Sequence, residues 1–472
     1  MDGAELNPSN SNSVSSGRVE CSRVALLLSS EINMTVTMHA FFAVALAATS
    51  SALSLTRPNI QAFPLTTGSS AFVSSLRDSN KTCVVPASAN GSDAAPAILS
   101  AFQTCNNGGT IVLDAIYNIS SPLNLTFLSH VDVALTGTVS FNPDIAFWTG
   151  ANGAYPITYQ NSSTFWRLGG EDVNIFGDGL GTIDGNGEVW WDASLTNSSL
   201  VRPILFVADG LEGATISGLN YVNPPNWFNL IANSSDVVVS GLNLSAVWST
   251  GEETPNTDGW DIYRSDSIVV QDSIINNGDD CVSFKPNSTN IVVQNLHCNG
   301  SHGISVGSLG QYVNEYDIAE NITVYNISMS NASDGARIKV WPGIQSSLST
   351  LLNGGGGSGY VKNVTYQLFN NTNNEWAIEV NQCYGQSNAT LCELYPSKMV
   401  ISEIYFKDIY GVTSTEEEPY VGTLVCSSPE QCYDFYASNV NVSPPDGAAP
   451  KWICSGFNTT GLQGFDCDTT ES

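Results

Sequence analysis

The chain has 472 residues with 15 Lys+Arg against 44 Asp+Glu, a formal net charge of −29, yet only 12% of residues are charged while 42% are hydrophobic. The acidity therefore comes from a shortage of bases, and the 10% aromatic content excludes a disordered acidic chain. No basic stripe exists to neutralise phosphates, which excludes nucleic acid, and any polyanion would have to be met by a small local cluster of cations.

Residues 1–37 are polar, rich in Ser and Asn, and are expected to be a disordered upstream extension. Met38 and His39 precede an apolar run at 40–48 and a small-residue stretch at 49–52, so residues 38–52 are expected to be a signal peptide, with Met38 or Met34 as the true start. The run is too short to span a membrane, and nothing later approaches the roughly 18 apolar residues a span requires. A soluble, secreted, monomeric protein is the expectation.

Residues 92–102 carry an early Pro96 and an apolar helical face, the pattern of a helix that would cap the open end of a repeat. Of the 11 cysteines, Cys21 lies upstream of the leader. The others are Cys83, Cys105, Cys281, Cys298, Cys383, Cys392, Cys426, Cys432, Cys454 and Cys467, and they fall into sequence-local pairs, as an oxidising compartment would produce. Their spacing matches no zinc motif, and no metal or cofactor is expected. Roughly eighteen N-x-[Ser/Thr] sequons, Asn118, Asn243 and Asn363 among them, agree with a secretory route.

From about residue 170, short β-branched stretches recur at 173–177, 214–219, 237–242, 268–271, 291–295, 322–326 and 364–367. Many starts are about 23 or 31 residues apart, and Gly or Asn follows each stretch, as in solenoid coils with loops of variable length. The expected fold is all-β: one right-handed parallel β-helix over residues 60–472, with the N-terminal helix as its cap. The glycine run 354–357 reads as a loop, because strands resume on both sides.

Carboxylates cluster in one window. Asn256-Thr257-Asp258 is followed by Gly278-Asp279-Asp280, Ser301-His302-Gly303 and Arg337-Ile338-Lys339. Asp258, Asp280 and His302 are spaced by 22 residues each, so on coils of that length they would stack about 4.8 Å apart. Asp279 and Asp280 would both face the cleft only if the backbone bends, and Gly278 is expected to permit that. Crowded carboxylates cannot all ionise easily, so one should keep its proton, and acid beside carboxylate is the requirement of glycoside hydrolysis. Arg337 and Lys339 on one strand face suggest an anionic substrate such as a sugar carboxylate. Singly, each motif has a bland reading as a turn pair, a packed histidine or a solvated strand face. Trp190, Trp191 and Trp227 read as core or loop anchors rather than sugar platforms.

The order of these motifs resembles the polygalacturonases of glycoside hydrolase family 28. The runs from Asn277 to Asn287, from Gly300 to Gly310 and from Ala336 to Gly343 are similar to secreted fungal exopolygalacturonases. The resemblance implies inverting hydrolysis of α-1,4-galacturonosyl linkages in pectin. Asp279 would be the general acid, Asp258 and Asp280 would activate water, and His302 would tune the acid. Arg337 and Lys339 would hold the sugar carboxylate on the leaving side, Asn256 would shape the site, and Tyr384 would contact substrate. Cys281 and Cys298 would form a disulfide bracing adjacent coils. Ser301, where many endo-acting members have Gly, supports exo action. A glycan on the sequon at Asn299 would block the cleft, so that site is expected to be unmodified. The alternatives are an endopolygalacturonase, a hydrolase of xylogalacturonan or rhamnogalacturonan, a calcium-dependent lyase on the same fold, and a non-catalytic pectin-binding helix.

Overall fold

The recurrent β-branched stretches are the strands of a single coiled sheet. In a computed structural model, residues 56–69, 72–348, 353–457 and 461–468 are described; the expected extension and leader lie outside them. Val173, Ala214, Val237, Ile268, Ile291, Ile322, Val364, Ile404 and Phe435 pair one above the next in parallel register. All are buried, so one column of side chains fills the tube from coil to coil. Each such burial stabilises by roughly 1.5–3 kcal/mol, and parallel crossovers favour the right-handed coil.

A second column carries the site. The strand Trp260–Tyr263 pairs with Val282–Phe284, which pairs with Ile304–Leu309, which pairs with Asp334–Val340, and that strand pairs with Trp376–Asn381. Register Trp260↔Val282↔Ile304 carries back two residues to Asp258, Asp280 and His302, so the 22-residue spacing does correspond to one coil.

The helix Ala95–Cys105 buries Ile98, Phe102 and Cys105 against the first coils. Its N-cap is Ala94, which makes no side-chain cap. Asp93 instead accepts from the amides of Ala95 and Ser120 and so ties the helix to the sheet. Five disulfides, Cys83–Cys105, Cys281–Cys298, Cys383–Cys392, Cys426–Cys432 and Cys454–Cys467, are all local. Trp190 and Trp191 are fully buried, as anchors should be. Asn353–Gly354 pairs with Ser346–Ser347 before the strand Ser358–Asn374, so the first glycine of the run ends a short strand and residues 355–357 lie between strands.

Exposed asparagines line several turns. Asn321 Nδ2 donates to Asn290 at 3.0 Å and Asn363 Nδ2 to Asn321 at 2.8 Å. Asn331 and Asn373 continue a second ladder from Asn299, at 2.8 and 2.9 Å. All of these except Asn299 take positive φ, from 50° at Asn331 to 58° at Asn321 and Asn373, which asparagine tolerates better than other side chains. Asn321, Asn331 and Asn363 also head sequons, so part of the sequon count reflects ladder building.

Candidate functional site

Asp258 and Asp280 precede the strands Trp260–Tyr263 and Val282–Phe284, and His302 precedes Ile304–Leu309. One side-chain oxygen each from Asp258, Asp279 and Asp280 lie within 4.8 Å of one another. Gly278 contributes differently from the expectation. It is not among the positive-φ glycines, but a Cβ there would lie 2.5 Å from the Thr254 carbonyl. Its role is to admit the loop carrying Glu253 and Thr254, and Thr257 Oγ1 accepts its amide at 2.8 Å.

Asp280 is fully buried and saturated. Its Oδ1 accepts from Ser305 Oγ and its Oδ2 from Lys339 Nζ, both at 2.6 Å, and Arg337 Nη1 lies 3.9 Å away. Burial pushes its pKa up, but Lys339, Lys285 and Arg337 outweigh this and hold it below the usual value. Asp279 accepts from the Asp280 amide at 2.8 Å and from Asn256 Nδ2 at 3.1 Å, with His302 Nδ1 at 3.2 Å. Burial raises its pKa too, yet the imidazolium and these donors hold it well below the carboxylate range. His302 is pushed up to about 11: burial opposes the charge, but Asp279 and Glu253 outweigh burial. Asp258 is raised well above its ordinary value by burial and by Asp261 and Asp279. Proton affinity in the cluster is thus raised at His302 and at Asp258, while the expected acid, Asp279, is held toward its ionised form.

Arg337 and Lys339 do converge on the carboxylates, but both are already engaged. Arg337 Nε is 2.7 Å from Glu379 and its Nη1 is 3.3 Å from Asp334, while Lys339 is held by Asp280. Tyr384 packs edge-on to Trp341, with Lys339 Nζ 5.7 Å from its ring centre. A groove of about 610 Å³ opens beside His302, lined by Glu252, Glu253, Glu375, Glu416 and Ser301, with no Lys or Arg in its walls.

Four further residues join the site. Glu253 Oε1 lies 2.7 Å from His302 Nε2. Arg202 donates to the Pro225 and Pro255 carbonyls and to Asn256 Oδ1 at 2.6 Å, which turns the Asn256 Nδ2 toward Asp279. Buried Asp261 lies beside Asp258, and Lys285 Nζ is 3.2 Å from Asp261 and 3.5 Å from Asp258. Glu253, Arg202 and Asp261 belong to no motif singled out in the sequence, and Lys285 lies in the run 277–287, which implies no role for it. The signal available was the rarity of bases: Arg202, Lys285, Arg337 and Lys339 are four of 15.

The pattern that defines Glycosyl hydrolases family 28 matches residues 111–463. The chain is 54% identical over 377 residues to a probable exopolygalacturonase X of Aspergillus fumigatus, covering 79% of this chain and 86% of that one. It is 50% identical over 413 residues to exopolygalacturonase A of Aspergillus niger, covering 87% and 94%. Among solved structures it is similar to the endo-xylogalacturonan hydrolase of Aspergillus tubingensis, at 31% identity and a TM-score of 0.73, over 83% of this chain and all of that one. It shares its fold with a polygalacturonase from Erwinia carotovora at 20% identity and a TM-score of 0.61, over 83% and 99%.

Proposed function

The chain belongs to Glycosyl hydrolases family 28 and is a glycoside hydrolase, and from that premise we propose that it acts on polygalacturonate, releasing galacturonic acid from the non-reducing end with inversion. The observation that carries the chemistry is the register of Asp258, Asp280 and His302 on successive coils with Asp279 among them.

Asp279 is the carboxyl at the cleft surface, so it is placed to protonate the leaving oxygen. For this the proton on His302 crosses the 3.2 Å Nδ1···Oδ1 contact to Asp279, the pair sharing a single proton. Asp280, held ionised by Lys339, is a weak base that orients water. Asp258, with its raised proton affinity, is the stronger acceptor for the proton that water gives up. The nearest carboxylate oxygens are closer than the roughly 6.5–9.5 Å common in inverting enzymes. Inversion is nevertheless favoured, because Asp280 is fully buried with both oxygens bonded and cannot reach an anomeric carbon, whereas a water molecule can.

Exo action is supported by the relatives' names and by the loops before the site. Tyr159 stacks on Tyr263 at 4.3 Å, and Gln160 Nε2 donates to Gln311 at 3.1 Å, so an early loop crosses to a late one. Resolving the products from polygalacturonate by chain length over time tests the proposal: monomer should appear first, and early oligomers with a fast viscosity drop would overturn exo action. Proton NMR of the anomer first released tests inversion. A second reading, a xylose-branched galacturonan, is favoured by the acid-lined groove, which suits a neutral side-chain sugar; it predicts a xylosyl-galacturonate product. Secretion is supported by the five disulfides. Among the described residues no helix is long and apolar enough to cross a membrane.

A further inference from the structure

Lys285 has no part in the chemistry above, yet it is buried in the middle of it. It follows the strand Val282–Phe284, on the coil that carries Asp279 and Asp280, and its backbone is pinned by the Ile262 carbonyl and by Ser288 Oγ. The ammonium lies 3.2 Å from Asp261 Oδ1, 3.5 Å from Asp258 Oδ2 and 3.9 Å from Asp280 Oδ2, and 5.3 Å from the Trp227 ring centre. A lysine that served only to neutralise Asp261 would not have to sit between both carboxylates proposed to handle water. Asp258 shows the consequence. Its Oδ2 faces Lys285, while its Oδ1 is buried and accepts no hydrogen bond within the protein. Neither oxygen of Asp261 is aligned for a hydrogen bond, so Asp261 competes for the same ammonium.

We infer that Lys285 is a positioning residue of the hydrolysis: its ammonium, between Asp258 Oδ2 and Asp261 Oδ1, holds the Asp258 carboxylate in place and counters its acidic neighbours so that Asp258 can take up the proton that water gives up, while Asp261 draws on the same charge. The inference rests on the assignment of Asp258 as base in the proposed function. The groups facing Lys285 are Asp258, Asp261, Asp280 and Tyr159, with Lys339 as the neighbouring cation. Those facing Asp258 are Asp261, Asp279, Asp280 and Lys285, and Arg202 also interacts with it electrostatically. Burial and the three acids drive Asp258 toward its protonated form, and Lys285 is the cation that opposes them.

The test is kcat/KM against pH on trigalacturonate for the full chain and for Lys285→Met, Lys285→Arg and Asp261→Asn. Removing the ammonium leaves Asp258 protonated to higher pH, so Lys285→Met should move the acid limb up by about one pH unit or more. Lys285→Arg should return it toward wild type. Asp261→Asn removes the competitor and should move the limb down. Opposite shifts in the two variants are a signature that a purely structural role would not produce. A loss that is equal at every pH, or shifts in the same direction, would overturn the inference. If circular dichroism shows that Lys285→Met is unfolded, Asp261→Asn decides alone, and an unmoved limb overturns it. Failure of the underlying function is distinguishable: Asp258→Asn would then retain turnover, whatever the limbs do.

Discussion

Asparagines and aspartates are stacked one coil apart on the same helix, and the two stacks behave in opposite ways. In the ladder Asn290–Asn321–Asn363 the amides pair with one another at 2.8 to 3.0 Å, Asn321 as donor on one side and acceptor on the other, and Asn290 passes its own donor on to Asp266 at 2.7 Å. Asp258 and Asp280 occupy equivalent positions on neighbouring coils but are acceptors only when ionised. Their column must import donors: Lys339 and Ser305 for Asp280, Lys285 for Asp258, and His302 and Asn256 for adjacent Asp279. The coil supplies proximity without regard to chemistry. Neutral amides turn that proximity into cohesion, while carboxylates turn it into stored charge that can move protons.

The largest break in this comparison is at Asp279. Asp279→Asn keeps the shape and the stack but removes the transferable proton, so turnover should fall by roughly 10²–10⁴-fold. The protein should stay folded, by circular dichroism and thermal unfolding. More than a few per cent of wild-type kcat would refute the assigned role. A cut at an imported donor comes next. Lys339→Met leaves Asp280 buried without its 2.6 Å partner, and losing one member of a buried pair costs about 3–5 kcal/mol, measurable by urea unfolding. A loss below about 1 kcal/mol would mean that Lys285 and Arg337 alone can carry Asp280.

The legibility of the two stacks in sequence differs for the same reason. The fold could be read because each coil repeats an inward β-branched residue, and the stack of Asp258, Asp280 and His302 could be read because one coil is 22 residues there. Gly278 was read as a bend, but its close neighbour is Thr254, 24 residues earlier, whose approach no local pattern reveals. Asp261, Glu253 and Arg202 lie outside the motifs, and Lys285, though inside the run 277–287, reaches Asp258 and Asp261 across coils, so their relation to the site is a property of register. Protonation was the least legible feature. Crowding predicts that a proton is retained, but which group holds it depends on the placement of Lys285, Lys339 and His302.

A smaller expected effect separates the stacks by pH. Asp261, with its pKa pushed by burial to about 7, and Asp258, also raised, contribute stability that is full below about pH 4 and lost as pH rises through their folded values. His302, raised despite burial to about 11, contributes stability present below about pH 6.5 and lost as pH climbs toward 11. Asp279 and Asp280, though burial raises them, are lowered on balance by their cations, so they contribute above about pH 4 and lose stability only as pH falls through their folded values. Between about pH 4 and 7 the raised carboxyls decide the sign, so Tm should fall across that window. Asp261→Asn should flatten the slope, and an unchanged slope would show that Asp261 does not hold a proton there. The ladder's amides have nothing to titrate, and Asp266 at its foot, though burial raises it, is held below its usual value by Thr289, Ser267 and Asn290, so the ladder should leave the slope in this window alone.

The smallest effect is expected in the ladder itself. Asn321 is exposed, sits at φ 58°, donates to Asn290 and accepts from Asn363. Asn321→Ala loses both bonds and places a Cβ without local hydrogen bonding in the left-handed region, for about 1–2 kcal/mol in all. Asn321→Gly loses the same bonds but relieves the backbone, so it should cost less than Ala, and the difference between the two isolates the conformational part. Neither substitution changes a charge near Asp258 or Asp280, so kcat/KM and its pH profile should match wild type within about twofold, a shift of under half a kcal/mol. A pH-dependent effect of either would mean that the amide column and the carboxylate column communicate along the coils, and that the separation between cohesion and reactivity is incomplete.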